Sequence, residues 1–456
     1  MAAQSKLFSA GVDCSCHAYM HPWTTSCASG TAGMMLASIP SSLRTYFTVY
    51  LIALIARRRL PSLKDLKHTG AGILQSAAFL STNAWCFSLF VCLLRQALGR
   101  FYFGTAALVP AFFASIVALN VERPARRAAL ALYVTNVGLE TLWRMLEARG
   151  LVHSIPNAQV LIMGPSITAL LYLQRLGLHR TVAKDITFKV LRVIIGKEEE
   201  GPLNMPVANS SGSLSSRQRR LSFRSIRTIL GLYEHFRAAK HSSCPHRQGC
   251  AIYALRGGLK PFVGGVGLTL SLKLLLNISK IVRLKMDWRK RMFNKDSLKL
   301  GLALGSFSLL YKMTSCALRH GFGYDNALFA IPAGLLGSIG LLQFPNTTVS
   351  LYIMLKLLHL LYNWGIEGGV LPEVPHFITY LYAFFTAILF HSSILEPRSL
   401  RDSYYRFLMN MSGNRICRFG VRSLEDLGLE SHEQMLDVVQ KLKINTASPN
   451  PSVPLM

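Results

Sequence analysis

Eight apolar runs are the feature that most limits what this chain can fold into. Each is about 17–24 residues long, which is the length of a helix that crosses a ~30 Å hydrocarbon core. They cover about 71–94, 104–121, 128–147 and 158–174 in the first half and about 299–318, 326–343, 348–366 and 376–394 in the second half. Because a backbone in lipid must satisfy its own N–H and C=O groups, the runs predict helices. The expected fold class is an all-α polytopic membrane protein.

The charge balance agrees with a membrane location. Of 456 residues, 51% are hydrophobic and only 16% are charged, yet Lys and Arg number 50 against 22 acids. In a soluble protein this excess would indicate nucleic acid binding, but beside long apolar runs it is typical of basic loops on one membrane face. No nucleic acid partner is therefore expected. The N-terminus has no apolar signal-peptide core, and the cysteine pattern does not predict a disulfide scaffold.

The two halves of the chain resemble each other in sequence. "CLLR" at Cys92 matches "CALR" at Cys316, and "VPA" at Val109 matches "IPA" at Ile331. Further matches extend upstream and downstream, and the offset between matched positions drifts only from 216 to 224 residues. Chance identities would scatter in offset, so the pattern indicates an internal duplication.

Basic residues predict which loops face the cytosol. With four spans per half, one side receives 21 Lys and Arg residues and the other side receives 4. The positive-inside rule then places both termini and the 178–258 linker in the cytosol, with both halves in the same orientation. In this arrangement the short apolar segments 45–56 and 261–279 do not cross, and we interpret them as interfacial or re-entrant helices. Ten crossings with inverted halves stay open as the alternative.

The predicted organisation has two tandem four-span repeats, each preceded by a short interfacial helix. Its parts are a Cys/His-rich cytosolic segment 1–42, membrane repeat 1 at 43–196, a partly disordered cytosolic linker 197–257, membrane repeat 2 at 258–396 and a cytosolic tail 397–456.

Glu140 and Arg144 lie inside the third apolar run. Four residues apart on a helix, they face each other and can pair, which lowers the cost of each charge near lipid. We interpret the pair as a structural lock between helices. A polar track for an ion or a lipid head group is the alternative function.

A cluster of cysteine and histidine precedes each leading helix. The first, "CSCHAYMHPWTTSC", offers Cys14, Cys16, His17 and Cys27, and the second, "CPHRQGC", offers Cys244, His246 and Cys250. Thiols and imidazoles are zinc ligands, but neither cluster has a C-x-x-C pair and the second has only three ligands. One zinc ion held jointly by both clusters is the hypothesis. Reduced thiols, or acylation near the membrane, are the competing interpretations.

The linker carries no apolar periodicity. Its "RRLS" sequence places Ser222 after two arginines, a pattern that basophilic kinases phosphorylate. A basic segment held against anionic lipid is the other interpretation, and phosphorylation would weaken that contact. The chain has no GxSxG, P-loop or HExxH motif, so we do not expect an enzyme.

Several longer stretches carry a family resemblance. They are "HPWTTSC" at the end of the Cys-rich segment, "LRVIIGKEEE" from Leu191, "NKDSLKLGLALGSFSLLYKMTSCALR" from Asn294, "NTTVSLYIMLKLLHLLYNWGIEGG" from Asn346 and "SYYRFL" from Ser403. Together they resemble the transmembrane protein 135 family over most of the chain.

The resemblance implies a multi-span protein of mitochondrial and peroxisomal membranes, distantly related to translocase channel subunits of the mitochondrial inner membrane. It implies roles in mitochondrial division through a dynamin-related GTPase, in peroxisome organisation and in lipid homeostasis. The implied partners are this GTPase and organelle membrane lipids, and a homo-oligomer is compatible with the sequence. A carrier or channel for a lipid or small solute is the alternative function. The family supplies no catalytic residues, and none is assigned.

Overall fold

A computed structural model describes residues 11–56, 62–178, 186–201, 243–282, 294–427 and 429–444. Within these ranges the chain is built of helices and has no strand, only an isolated backbone bridge between Val12 and Phe101. The prediction of an all-α membrane protein is confirmed. Ser222, the predicted phosphorylation site, lies outside the described residues.

The α-helices are numbered here in chain order. In the first half they are α1 (Cys16–Tyr19), α2 (Cys27–Ala56), α3 (Leu63–Leu98), α4 (Leu108–Val121), α5 (Pro124–Ala148), α6 (Ala158–Arg175) and α7 (Ile186–Ile195). In the second half they are α8 (Cys250–Val282), α9 (Lys295–Phe322), α10 (Ala330–Ser338), α11 (Thr347–Glu367), α12 (Phe377–Leu395), α13 (Asp402–Met411) and α14 (Ser431–Leu442).

The helices form two compact units that differ from the predicted repeats. Unit 1 comprises Met1–Ser154 and Val374–Met456, and unit 2 comprises Ile155–Glu373. Consequently α6, from the first half of the sequence, belongs to unit 2, and α12, from the second half, belongs to unit 1. The sequence repeats and the compact units are two different divisions of the same chain.

Both units have the same order of helix contacts. In unit 1, α2 packs on α3, α3 on α4, α4 on α12 and α12 on α5. In unit 2, α8 packs on α9, α9 on α10, α10 on α6 and α6 on α11. In each of these contact series, four helices of one half are combined with the helix formed by the last apolar run of the other half. A duplicated sequence predicts that the order of helix contacts is the same in both units. The number of membrane spans per repeat stays a prediction.

The leading helices are longer than the sequence suggested. α2 has 30 residues and α8 has 33, so each extends well before the apolar segments 45–56 and 261–279. At 1.5 Å per residue they are about 45–50 Å long. α2 begins with small and polar residues, and in α8 Arg256, Gly257 and Gly258 interrupt the apolar sequence after two turns, which explains why hydropathy placed both beginnings too late. Helices of this length keep the ten-span alternative open.

Three of the described helices, α3, α11 and α12, are long and apolar enough to cross a membrane. α4 and the stretch Ala327–Gln343 are apolar but shorter. Only 17% of the apolar window of α11 is buried inside the protein, which leaves its apolar side chains exposed as expected for contact with lipid.

Glycines bring α8 and α9 into close contact. A Cβ atom at Gly301 would lie 2.5 Å from Cγ2 of Val266 and 2.7 Å from the carbonyl oxygen of Phe262, and one at Gly305 would lie 2.8 Å from Cβ of Phe262. Small residues at this spacing let helix backbones approach closely. The contact aligns the beginning of α8 with the end of α9, where the candidate site lies.

The segment after α12 is folded in its described part. α13 and α14 pack together, and Ser431 at the start of α14 donates a hydrogen bond to the carbonyl of Leu395 at 2.7 Å. Tyr405 and Phe419 are fully buried in the core of unit 1. The C-terminal residues up to 444 therefore form part of unit 1.

Candidate metal centre

Four potential metal ligands meet where α8 begins and α9 ends, within unit 2. Cys250 is the first residue of α8, Cys244 and His246 lie in the turn before it, and Cys316 lies in the last turns of α9. One ligand atom from each residue lies within 4.8 Å of all the others. Cys244, His246 and Cys316 are buried. The group is thus a closed site inside the protein.

The sulfur atoms of this site are close but not bonded to each other. Sγ of Cys244 lies 3.8 Å from Sγ of Cys250, and Sγ of Cys316 lies 3.4 Å from Nε2 of His246. A disulfide requires an S–S distance of about 2.05 Å, and all nine cysteines are free thiols.

His246 is held in the tautomer that a metal ligand needs. Its Nδ1 lies 2.6 Å from the carbonyl oxygen of Gln248. Because a carbonyl only accepts hydrogen bonds, Nδ1 carries the proton and Nε2 presents its lone pair to Cys316. The ring stacks on Tyr253 with centroids 4.2 Å apart, which fixes its plane. A neutral imidazole fixed through its other nitrogen is the usual arrangement of a metal-binding histidine.

The electrostatics favour a thiolate at Cys244. The hydrogen bond from the Cys316 thiol is the main cause that lowers the pKa of Cys244 to about 4, and burial opposes it. The thiolate is the form of cysteine that binds metals.

A related group of thiols occupies the equivalent place in unit 1. Cys16 begins α1, Cys27 is the first residue of α2, and Cys92 lies on α3; their sulfur atoms lie within 4.8 Å of one another. A hydrogen bond from Cys92 is the main cause that lowers the pKa of Cys16 to about 6. Within the described residues this group has three ligands rather than four.

Two predicted ligands of the first cluster lie outside this group. The carbonyl oxygen of Cys14 accepts a hydrogen bond from Nε of Arg95 at 2.6 Å, and burial raises the pKa of the Cys14 thiol to about 11. Nδ1 of His17 lies 3.0 Å from the carbonyl oxygen of Thr24. The structure thus gathers a separate group of ligands within each unit. Sharing of one zinc by both clusters stays an untested prediction.

Sequence reasoning missed Cys92 and Cys316, the ligands that the long helices supply. Both cysteines lie in apolar runs. In the sequence they were used only to match the two halves, and they were not considered as metal ligands. A usable signal was their spacing, because Cys92 follows Cys27 by 65 residues and Cys316 follows Cys250 by 66. Duplicated cysteines at matched spacing predict that each pair meets in space.

A buried ion network lies beside the site of unit 2. Arg319 donates to both carboxylate oxygens of Glu199, at 2.9 and 2.6 Å, and neither side chain is exposed to solvent. Tyr253 donates to Glu199 at 3.2 Å, and Asp325 lies 3.0 Å from Nε of Arg319. Burial alone would raise the pKa of Glu199, but the charge and hydrogen bonds of Arg319, with smaller contributions from Arg175 and Tyr253, together lower it to about 2. The carboxylate is therefore ionised at neutral pH.

The charges predicted to pair on α5 are close together. Nη2 of Arg144 donates to Glu140 at 2.6 Å. The other carboxylate oxygen of Glu140 accepts a hydrogen bond from Arg401, just before α13. Glu140 is largely buried, whereas 42% of the Arg144 side chain is exposed. The carboxylate thus has two arginine partners, and the second was not predicted.

Comparison with known families gives one match. Residues 13–146 match the model of the N-terminal cysteine-rich region of Transmembrane protein 135. The match contains the three grouped thiols Cys16, Cys27 and Cys92 and both charges of the α5 pair. No solved structure matches the chain. The resemblance noted in the sequence is confirmed by this match.

Proposed function

Because residues 13–146 match the N-terminal cysteine-rich region of Transmembrane protein 135, we propose that this chain belongs to the transmembrane protein 135 family. We further propose that it regulates mitochondrial division and peroxisome organisation from within the membranes of these organelles. In this proposal it recruits or activates a dynamin-related GTPase and influences lipid homeostasis without catalysing a reaction. The observation that carries the proposal is the match over residues 13–146.

The physical features that support this proposal are the apolar helices and the basic loops. α3, α11 and α12 are suited to a bilayer by length and composition. The predicted cytosolic loops hold most of the 50 Lys and Arg residues, and a basic surface can attract an acidic protein partner or anionic lipid.

Loss and re-expression of the protein in cells test the proposal. Cells without it should have elongated mitochondria and less dynamin-related GTPase on the mitochondrial surface, and re-expression should restore both. A tagged copy should coincide with mitochondrial and peroxisomal markers. Unchanged mitochondrial length together with unchanged GTPase recruitment would rule out the proposed role in division.

A pocket in unit 2 favours a second candidate function, a carrier or channel for an anionic lipid or small solute. The pocket has a volume of about 430 Å³. Four basic residues lie in its wall: Arg247, Arg256, Lys260 and Lys312. Glu198 is its only acidic lining residue among those described. An excess of positive charge at a concave surface attracts anions.

Lys312 is the most informative residue of this pocket. It lies on α9 within a predicted span, and only 5% of it is exposed. Its ammonium lies 4.5 Å from the ring centroid of Tyr253, and within the described part of the chain it forms no salt bridge. A buried cation in a membrane helix usually marks a functional site. A phosphate or carboxylate group would neutralise it.

Reconstitution in liposomes tests the carrier candidate. Purified protein should move a fluorescent anionic lipid between leaflets, or release a trapped small anion, faster than empty liposomes do. Lys312→Met should abolish this transport, whereas Lys299→Met, an exposed position on the same helix, should leave it intact. The Lys312→Met variant is also expressed in cells that lack the protein. If it fails to transport but restores mitochondrial length in these cells, the two functions are separate. Equal rates with and without protein would exclude the carrier.

A further inference from the structure

We propose that Cys244, His246, Cys250 and Cys316 bind one structural zinc ion, which ties the beginning of α8 to the end of α9. This inference rests on the geometry of unit 2 and does not depend on either proposed function. It differs from the zinc shared between the two clusters, because all four ligands come from one unit.

The first argument is the spacing of the ligand atoms. Zinc–sulfur bonds are about 2.3 Å and zinc–nitrogen bonds about 2.0–2.1 Å, so tetrahedral geometry separates two sulfur ligands by ~3.8 Å and a sulfur from a nitrogen by ~3.6 Å. Sγ of Cys244 and Sγ of Cys250 are 3.8 Å apart, and Sγ of Cys316 and Nε2 of His246 are 3.4 Å apart. Both distances agree with the edges of a zinc tetrahedron to about 0.2 Å.

The second argument is the chemistry of the ligands. Three thiols and one imidazole are soft or borderline donors, which suit zinc and disfavour magnesium and calcium, whose ligands are oxygen atoms. A Cys₃His set is one of the common structural zinc sites, in which all four positions belong to the protein. The expected role is therefore structural rather than catalytic.

The third argument is the support behind the ligands. His246 is fixed by the carbonyl of Gln248 and by the ring of Tyr253, so its lone pair is aimed before any metal binds. Cys250 and Cys316 lie on two helices whose close contact is set by glycines. A site whose ligands lie on rigid elements loses little entropy when the metal binds.

The position of the site indicates what zinc would stabilise. Cys250 and Cys316 are 66 residues apart in the sequence, and Cys244 and His246 belong to the turn that leads into α8. One ion would fix this turn and join both helices at one end of their contact. Binding energy at such a site adds directly to the stability of the folded state.

Metal analysis of the purified full-length protein tests the proposal. The protein is extracted in mild detergent without chelators, its zinc content is measured by plasma mass spectrometry, and the zinc environment is measured by X-ray absorption. We expect a zinc ion bound to three sulfur atoms and one nitrogen. Cys316→Ser should lower the zinc content by one ion per chain, and Cys86→Ser, a buried thiol on α3 outside both groups, should leave it unchanged.

Two further measurements keep the test valid if Cys316→Ser does not fold. Cys316→His offers a nitrogen in place of the sulfur and should retain the ion with two sulfur and two nitrogen ligands. Cobalt(II) added to the metal-free protein should give the visible absorption of a tetrahedral thiolate complex. A zinc-free protein with a Cys244–Cys250 disulfide, a protein that contains iron instead of zinc, or a zinc content unaffected by Cys316→Ser would each overturn the proposal.

Discussion

Unit 1 and unit 2 place thiols at the same point of the same helix arrangement, but among the residues that the structure describes unit 2 gathers four potential ligands and unit 1 three. In both units a cysteine begins the leading helix and a second cysteine lies on the next helix, at Cys27 and Cys92 and at Cys250 and Cys316. The difference lies in the turn before the leading helix, where unit 2 supplies an imidazole with its lone pair facing the thiols. The duplicated helices thus supply two cysteines in each unit. The turn before the leading helix supplies the remaining ligands and therefore determines whether a set of four is formed.

The arginines that follow these helix cysteines differ in the same way. Arg95 and Arg319 each lie three residues after the helix cysteine of their own unit. Arg319 is bound to Glu199, and neither side chain is exposed, whereas Arg95 pairs at 2.8 Å with Asp13, whose side chain is 71% exposed. The two arginines therefore contribute unequally to the free energy of unfolding, because a buried arginine that loses its acidic partner cannot replace it with water, whereas an exposed one can.

The largest effect that distinguishes the units should come from their helix cysteines. Cys316→Ser removes a zinc ligand, and we expect unit 2 to lose about 5 kcal/mol or more of its free energy of unfolding, since structural zinc sites contribute at least this much. Cys92→Ser should cost unit 1 about 1–2 kcal/mol, the effect of placing a hydroxyl at a buried thiol position. Hydrogen exchange read by mass spectrometry measures both, through peptides of α8 and α9 and of α2 and α3.

A chelator provides the matched control for this comparison. Removing zinc from the wild-type protein should increase exchange in α8 and α9 as Cys316→Ser does, and should change the Cys316→Ser protein no further. If the two variants destabilise their units equally, the fourth ligand makes no difference and the contrast between the units is lost.

The next largest effect should come from the buried carboxylate of unit 2. Glu199→Gln leaves the buried Arg319 with Asp325 as its remaining acidic partner among the described residues, and Asp325 is shared with Arg175, so we expect a loss of ~3–5 kcal/mol. In unit 1, Asp13→Asn removes an exposed partner of Arg95 and should cost less than ~1 kcal/mol. Thermal unfolding of each variant in detergent measures both losses, and a cost for Asp13→Asn as large as that for Glu199→Gln would contradict the comparison.

The sequence predicted the helices of this fold better than it predicted which helices pack against each other. The apolar runs predicted helices because the length and hydropathy of a run are local properties of the sequence. The two clusters supplied five of the seven thiols and imidazoles now grouped: Cys16, Cys27, Cys244, His246 and Cys250. The exchange of α6 and α12 between units was not predictable. After a duplication both copies present similar faces, so local patterns do not decide which copy a helix packs against.

The ion pairs show the same limit. Glu140 and Arg144 were predicted to pair because i and i+4 positions meet on one helix. Arg401, the second partner of Glu140, is 261 residues away, and Glu199 and Arg319 are 120 residues apart. Nothing in the local pattern specifies such pairs, because each charge could equally have faced solvent.

A smaller effect should come from the carboxylate of unit 1 that has two arginine partners. Glu140→Gln leaves two partly exposed arginines, which can reach solvent, so we expect a loss of ~1–3 kcal/mol, less than for Glu199→Gln. Arg144→Met alone should cost less again, since Arg401 keeps its contact with Glu140. In the Glu140→Gln background Arg144→Met should add little, and a thermal double-mutant cycle measures this coupling. Fully additive losses would show that the two side chains do not interact.

The smallest expected effect is that of pH on the Glu199 ion pair between pH 8 and pH 5.5. Burial opposes ionisation of Glu199, but Arg319, Arg175 and Tyr253 together lower its pKa from 4.5 to about 2. A lowered pKa means that the pair stabilises the protein fully above pH 4.5, the value of the unfolded chain, and loses this contribution as pH falls towards 2. The difference in unfolding free energy between wild type and Glu199→Gln should therefore stay constant, to within about 0.5 kcal/mol, from pH 8 to pH 5.5. Below that range it should decrease, by roughly 3 kcal/mol in all if the protein remains folded for long enough to measure.

Taking the difference between the two proteins removes the titration of the histidines and thiols, which both share. A decrease that is already present between pH 7 and pH 5.5 would mean that Glu199 binds a proton near neutrality, and unit 2 would then lack the buried ion pair that separates it from unit 1.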